Sequence, residues 1–316
     1  MKQHFELGHF VRVAALTALG FLSFHAPAQT NEANTPSDSP VGQDWSALHS
    51  AQWRMGFSAD YSAVAARSVN FDGASGRSGA QSANAALTGE VPMNDQWFVP
   101  MGLVSRNLFL GGVGGAPIPD QIDTLGLGAG LGWHYNDRWT FIGSVGPRIY
   151  RLDNFNSSDI GVGGMVRATY RWKPNLTVAF GLSFEPDRDV PVLPAAGIRW
   201  NIQTNLTLSV MFPRTGLDYL VRPRLDLFLG LDGNFTVFRA ENDLGNKIGL
   251  PAFNNGLGTY RDFRLSAGVG YRLVGGLSAE VEGGFSFARE IDYQRIDQTV
   301  KFGSAPFVEA GVRYRF

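Results

Sequence analysis

Large apolar side chains recur at every second position through most of this 316-residue chain, and that period limits what it can fold into. Trp53, Met55, Phe57, Ala59 and Tyr61 alternate with Arg54, Gly56, Ser58, Asp60 and Ser62. Leu125, Leu127, Ala129, Leu131 and Trp133 alternate with four glycines and His134; Leu176, Val178, Phe180, Leu182 and Phe184 alternate with Thr177, Ala179, Gly181, Ser183 and Glu185. Successive strand side chains point to opposite faces, so each segment reads as a strand with one apolar face and one small or polar face.

Six short turns, at 93–97, 135–139, 172–176, 202–206, 221–225 and 273–277, each place three turn residues between two apolar ones. Residues facing each other across a hairpin point to the same side, so an odd loop keeps the apolar face continuous. The intervening connections, 65–77, 111–121, 153–158, 241–259 and 290–304, are long, polar and glycine-rich. Short turns at one end and long loops at the other are the asymmetry of a transmembrane barrel. The pattern gives an all-β, antiparallel, up-and-down transmembrane β-barrel of about fourteen strands: 52–64, 79–91, 97–110, 122–135, 139–151, 159–172, 176–187, 193–202, 206–212, 216–221, 225–239, 260–273, 277–289 and 306–316. Twelve is the alternative, because the pair around 213–216 is short and 97–110 is apolar on both parities. A soluble sandwich would need more than two hundred residues of continuous packed sheet, whereas a closed barrel sets the same apolar face against lipid.

Composition agrees. Charged residues make up 17% of the chain, against about 25% in soluble domains, and Lys plus Arg (27) balances Asp plus Glu (28). No net field recruits nucleic acid. Zero cysteines exclude disulfides, thiolate metal sites and thiol nucleophiles. Beyond the N-terminus no stretch approaches the roughly 18 unbroken apolar residues of a spanning helix. At the N-terminus, Lys2 and Arg12 precede an apolar run and Ala26, Pro27 and Ala28 supply a small-x-small cleavage site. Residues 1–28 read as a secretory signal peptide, 29–50 as a flexible periplasmic tail, and 51–316 as the barrel.

In this register Trp53, Trp97, Trp133, Trp139, Trp172, Trp200, Tyr219, Tyr271 and Tyr314 fall on the outward face near the short turns. They form a periplasmic aromatic girdle, since such rings favour the headgroup level. Arg151, Arg214, Arg239, Arg261 and Arg289 have outward positions where strands meet the long loops, which makes them candidates for lipopolysaccharide contacts or plain solvated loop bases. The last strand places Val308, Ala310, Val312, Tyr314 and Phe316 on one face. A terminal Phe on an alternating final strand resembles the assembly signal of bacterial outer-membrane β-barrel proteins, and the whole pattern is similar to the uncharacterised Gram-negative barrels of about 300 residues. That resemblance implies the outer membrane as location and insertion by the barrel assembly machinery; a monomer among lipid and lipopolysaccharide is expected there. It implies no settled activity.

The inward positions carry Arg54, Asp60, Glu90, Arg148, Arg167, Arg171, Glu185, Arg199, Asp218, Arg222, Asp226, Asp232, Arg264, Arg272, Glu280, Glu282, Glu309, Arg313 and Arg315. Such a lining suits a pore or narrow channel for small hydrophilic solutes; the alternative is a non-conducting structural or surface-interaction barrel whose lumen is plugged by its own ion pairs. Inward glycines at 126, 128, 130, 132, 161, 163, 268 and 270 suggest open space or room for an inserted segment, such as the tail or 241–259. Catalysis is not expected: beyond the leader only His49 and His134 remain, and His134 faces the lumen opposite Thr140. The glycine run 126–132 lies mid-strand and opens no helix, so it is no phosphate loop. Residues 153–159 lack the glycine and final glutamate of a calcium loop and read as a polar turn. No cofactor or metal is expected.

Overall fold

The structure, a computed structural model, describes residues 54–316 apart from 154, 189, 212 and 213. The expected leader (1–28), the tail (29–50) and Trp53 lie outside the described residues. Fifteen strands follow in order: β1 (Arg54–Phe71), β2 (Ala74–Pro92), β3 (Trp97–Leu110), β4 (Gln121–His134), β5 (Trp139–Ile149), β6 (Ile160–Lys173), β7 (Leu176–Phe184), β8 (Val192–Gln203), β9 (Leu206–Met211), β10 (Arg214–Arg222), β11 (Leu225–Arg239), β12 (Leu257–Arg272), β13 (Leu277–Tyr293), β14 (Gln298–Phe302) and β15 (Ala305–Arg315). Each of β1 to β13 pairs antiparallel with the next. β14 and β15 are two halves of one stave, both lying between β13 and β1, and this closes the sheet. The barrel therefore has fourteen staves. The short pair around 213–216 is real, with Leu217 facing Leu208 in register.

Two of the expected long loops are largely strand. The segment 65–77 continues the β1–β2 hairpin to a two-residue turn, Asp72 (φ 37°) and Gly73 (φ 80°), flanked by the pair Phe71 and Ala74. An Asp-Gly pair with both φ angles positive matches the twist of a hairpin, so the strands need no longer connection. Likewise 290–304 contains the end of β13 and all of β14.

Three neighbouring staves break their alternation at one level. On β1, Ala65 and Ala66 lie opposite the single Gly79, a bulge between the pairs Val64–Ala80 and Arg67–Ser78. On β13, Ala288 has φ 48°, and the register jumps from Phe287–Phe263 to Glu290–Arg261. Between them, residues 303–304 separate β14 from β15. An extra residue moves every later side chain to the other face. Above this collar the odd-numbered Val69, Phe71, Ile291 and Tyr293 therefore turn inward and are buried, where uninterrupted alternation would send them outward.

The outer wall is apolar and uncovered. Val145, Phe180, Val281, Phe285 and Val308 are each more than half exposed on faces whose backbone bonds are satisfied within the closed sheet. Such a surface is stable against hydrocarbon and not against water. The wall is uneven in height: β1, β2 and β13 run 18, 19 and 17 residues, but β9 only six.

Candidate functional site: a charged lumen beneath an apolar cap

Below the collar, ion pairs and hydrogen bonds organise the inner wall of β10–β15 and β1–β2. Arg264 donates to Asp262 at 2.8 Å, to Glu309 at 2.9 Å and to Ser62 at 3.2 Å, with its guanidinium 4.9 Å from the Phe307 ring centre. Ser286 donates to the other Asp262 oxygen. Arg313 meets Glu280 at 2.5 Å, Ser266 donates to Glu282 at 3.1 Å, and Asn84 donates to Asp60 at 2.6 Å. Arg54 stands opposite Glu90 in the ladder. Asp218 and Asp226 share the inward side of β10 and β11, and Arg272 that of β12.

The wall of β3–β8 is built differently. Arg148, opposite Gly126, lies across Gly126 and Gly163, where an added Cβ would sit 2.6 Å and 2.7 Å from its guanidinium nitrogens. Arg167 faces Gly181; Arg171 and Arg199 both face Thr177 from opposite sides. Arg106 reaches from β3 to the far strand, with Nη1 3.4 Å from the Phe235 carbonyl oxygen of β11. That arginine was missed as a lumen residue because β3 is apolar on both parities. Glu185 follows β7, 3.8 Å from Arg188, whose pKa burial lowers.

The glycine run does not create the open space its sequence suggests. An added Cβ at Gly132 would fall 2.1 Å from the Phe98 ring, at Gly161 2.3 Å from Tyr150, at Gly268 2.3 Å from Phe228 and at Gly270 2.4 Å from Asp226. At Gly130 it would meet the Gly143 carbonyl oxygen; only Gly128 among the eight has nothing within 4 Å. These glycines let large neighbours lie flat on the wall. His134 stacks 4.8 Å from Phe98 and meets Thr140 at 3.1 Å, as a hydrogen-bonded filler would.

Above the collar the lumen is filled by hydrocarbon. Val64, Val69 and Phe71 of β1, Leu108 and Leu110 of β3, Phe238, Tyr260, Ile291, Tyr293, Val300 and Phe302 form one buried cluster. Two loops fold down onto it. Residues 111–120 contribute Val113, Ala116 and Ile118, and residues 240–256 contribute Leu244 and Phe253. Phe253 packs edge-on against Phe71 at 5.9 Å and Tyr293 at 5.0 Å. Burying a side chain of this size contributes about 1.5–3 kcal/mol, so the cap is a core in its own right. On its outer rim Lys247 contacts Glu241 at 2.5 Å and Asp243 at 3.2 Å, and hydrogen bonds to these two carboxylates raise its pKa.

The five arginines expected on the outer rim do not form a ring. Arg214 sits opposite Asp232, pairs with it at 3.3 Å and so faces the lumen. Arg289 is turned inward by the bulge at Ala288, is 1% exposed, and lies 3.5 Å from the Tyr260 hydroxyl and 5.1 Å from the Phe302 ring centre. Arg151 and Arg239 grip the buried Asp159 at 3.1 Å and 3.2 Å. Arg151 also donates to the Ala240 carbonyl oxygen at 3.0 Å, and the Arg239 amide to the Tyr150 carbonyl oxygen at 3.0 Å. They tie the end of β5 to the end of β11 over the low side of the wall. Arg261 keeps its outward position, paired with Glu290 and Asp292.

At the short-turn end, Trp97 stacks on Trp133 at 5.4 Å and Trp139 on Phe141 at 5.6 Å, while Trp172, Trp200, Tyr219 and Tyr271 are exposed. In the last stave Val308 and Val312 are exposed outward, Ala310 lies opposite Tyr61, and Tyr314 packs edge-on against Phe316 at 4.5 Å.

No curated protein matches the chain. In fold it is similar to the crystal structure of a Pseudomonas aeruginosa FadL homologue (13% identity, TM-score 0.48, covering 83% of this chain and 90% of that one). It is also similar to an outer membrane channel from Pseudomonas putida F1 (10% identity, TM-score 0.45, covering 87% and 100%). A third likeness is to the KdgM porin (11% identity, TM-score 0.33, covering 82% and 99%). In sequence, residues 115–315 match the family described as a domain of unknown function, DUF6268, and since these residues make up more than half of the chain, it belongs to that family.

Proposed function

We propose that this protein is a monomeric channel of the bacterial outer membrane that passes small hydrophilic solutes, with its external mouth closed by the apolar cap. One observation carries the reading: below the collar the inner wall is charged while the outer wall is apolar. Arg or Lys at the bilayer midplane costs about 2–4 kcal/mol on the lipid side, whereas a wetted lumen holds the same charges cheaply. The aromatic belt fits the periplasmic headgroup level, Phe316 with its stave suits the assembly machinery, and Arg261 is the rim arginine best placed to meet lipopolysaccharide phosphate. Transport rather than catalysis suits a lumen whose histidine is already engaged.

A second reading, a non-conducting structural barrel, is favoured by the cap itself. Planar-bilayer recording decides between them, using the full chain beside a variant in which residues 242–255 are replaced by a short Gly-Ser linker. A channel predicts rare, small openings in the former and frequent, larger ones in the latter. Silence from both, with each folded by heat-modified mobility, supports the structural barrel instead.

A further inference from the structure

Just above the collar, outward positions of five adjacent staves form one polar row. Arg261 on β12 stands opposite Glu290 on β13, Glu290 opposite Lys301 on β14, Lys301 opposite Asn70 on β1, and Asn70 opposite Ser75 on β2. One step lower in the same hairpin, Ser68 of β1 stands opposite Arg77 of β2. Ser68, Asn70, Ser75, Arg77 and Lys301 are exposed and alternate with the buried Val69, Phe71, Ser78, Val300 and Phe302. Beneath the row the same wall carries the exposed apolar Phe285, Phe287 and Val308. The row therefore lies where hydrocarbon gives way to headgroups.

Two carboxylates border the row, and Arg261 holds both: Glu290 at 3.0 Å and Asp292 at 3.2 Å. Among the described residues Arg77 and Lys301 have no carboxylate partner; Arg77 donates to the Ala66 carbonyl oxygen at 3.0 Å. β14 and β2 flank β1 at about 4.8 Å each, and the two cations are one step apart along it, so their Cα atoms stand roughly 12 Å apart. That is within the joint reach of an arginine and a lysine side chain. A phosphate between them rests over Ser68 and Asn70, with the planar fork of Arg77 on one side and the point charge of Lys301 on the other. A phosphomonoester carries about −1.5 to −2 at pH 7, which two cations balance.

Elsewhere on the upper rim, Arg151 and Arg239 are bound to Asp159, Arg214 and Arg289 face inward, and the exposed Leu152, Phe155 and Val190 are apolar. From this placement we infer that Arg77 and Lys301 hold one phosphate group of an outer-leaflet glycolipid against the outer wall. This rests on the outer-membrane reading above and does not depend on whether the lumen conducts.

The test counts glycolipid bound to the full, folded chain in detergent by native mass spectrometry, with diphosphoryl lipid A as the probe. The expected result is one retained molecule per chain. Replacing Arg77 and Lys301 together with Gln should weaken that binding by about tenfold or more, whereas Arg77→Lys with Lys301→Arg should keep it within about threefold. Arg138→Gln with Lys173→Gln, at exposed positions of the short-turn end, should leave it unchanged, which separates the site from a general effect of charge. Lipid A stripped of both phosphates should bind no better to the parent than to the Gln variant. Equal binding of the phosphorylated lipid by parent and Gln variant overturns the site and leaves the barrel standing. So does full displacement of lipid A by millimolar inorganic phosphate, which assigns the two cations to free phosphate instead. A folded chain that stays in solution without detergent overturns the outer-membrane reading, and the site with it.

Discussion

The hydroxyl of Tyr293, at the upper end of β13, donates to the carbonyl oxygen of Pro117 at 2.8 Å, although 176 residues separate the two in sequence. Both residues are buried, and the bond holds the 111–120 loop down on the cap. Tyr293→Phe removes the donor and leaves a buried carbonyl without a partner, which costs about 1–3 kcal/mol. Faster amide exchange at 113–118, with unchanged exchange in the lower staves, is the expected outcome. Tyr293→Ala also removes the contacts to Phe253 and Phe238 and should loosen the 240–256 loop as well.

Ala288 adopts φ 48°, a conformation that costs a non-glycine residue about 1–2 kcal/mol. Ala288→Gly should therefore raise stability slightly, by up to about 1 kcal/mol once the added freedom of the unfolded chain is counted. Deleting residue 288 should cost little, because Arg289 then stands opposite Asp262 in a regular ladder and Arg289, Ile291 and Tyr293 keep their inward facing. The temperature at which the folded band disappears in heat-modified electrophoresis measures both.

Asp159 is fully buried between Arg151 and Arg239. Asp159→Asn leaves two largely buried guanidinium groups without their shared carboxylate, a loss of about 3–5 kcal/mol for a buried pair. The junction between β5 and β11 should open. Trypsin cleavage after Arg151 or Arg239 in intact proteoliposomes, absent in the parent, reports it.

Two glycines on one strand separate close packing from open space. At Gly132 an added Cβ would sit inside van der Waals contact of Phe98, whereas at Gly128 nothing lies within 4 Å. Gly132→Ala should lower stability by about 1–3 kcal/mol, the usual cost of overpacking. Gly128→Ala should change it little. Denaturant midpoints in detergent compare the two.

Alternation like that of Trp53 to Tyr61 and of Val308 to Phe316 was enough to read the strands and, below the collar, most of their sidedness; of the two counts it left open, fourteen stands. Period two needs only short-range steric logic, and the odd turns carry it from one strand to the next. Breaks in that period are hard to see. Ala65, Ala66 and Ala288 are unremarkable in sequence, yet they decide the facing of Val69, Phe71, Arg289, Ile291 and Tyr293. The one available clue was Asp72-Gly73, a hairpin turn inside what looked like a loop. Arg214 shares parity with Asp218, and that is the sequence signal that it faces the lumen. The lumen charges were legible residue by residue, but pairs such as Arg264 with Glu309 and Arg313 with Glu280 required knowing which staves stand together. Glycine on an inward face signals a large neighbour as readily as a cavity, and only packing tells which.

The chain has no cysteine, so single cysteines can be introduced and spin-labelled along β13 at 281, 282, 285, 287, 289, 290 and 291. In liposomes, relaxation by oxygen reports lipid contact and relaxation by a water-soluble nickel chelate reports aqueous contact. Labels at 281, 285 and 287 are predicted to face lipid and 282 the interior; across Ala288 the phase should reverse, with 290 outward and 289 and 291 shielded from both reagents. Strong nickel relaxation at 281 and 285, or alternation that continues unbroken through 291, would contradict a lipid-facing barrel closed by a bulge-turned cap.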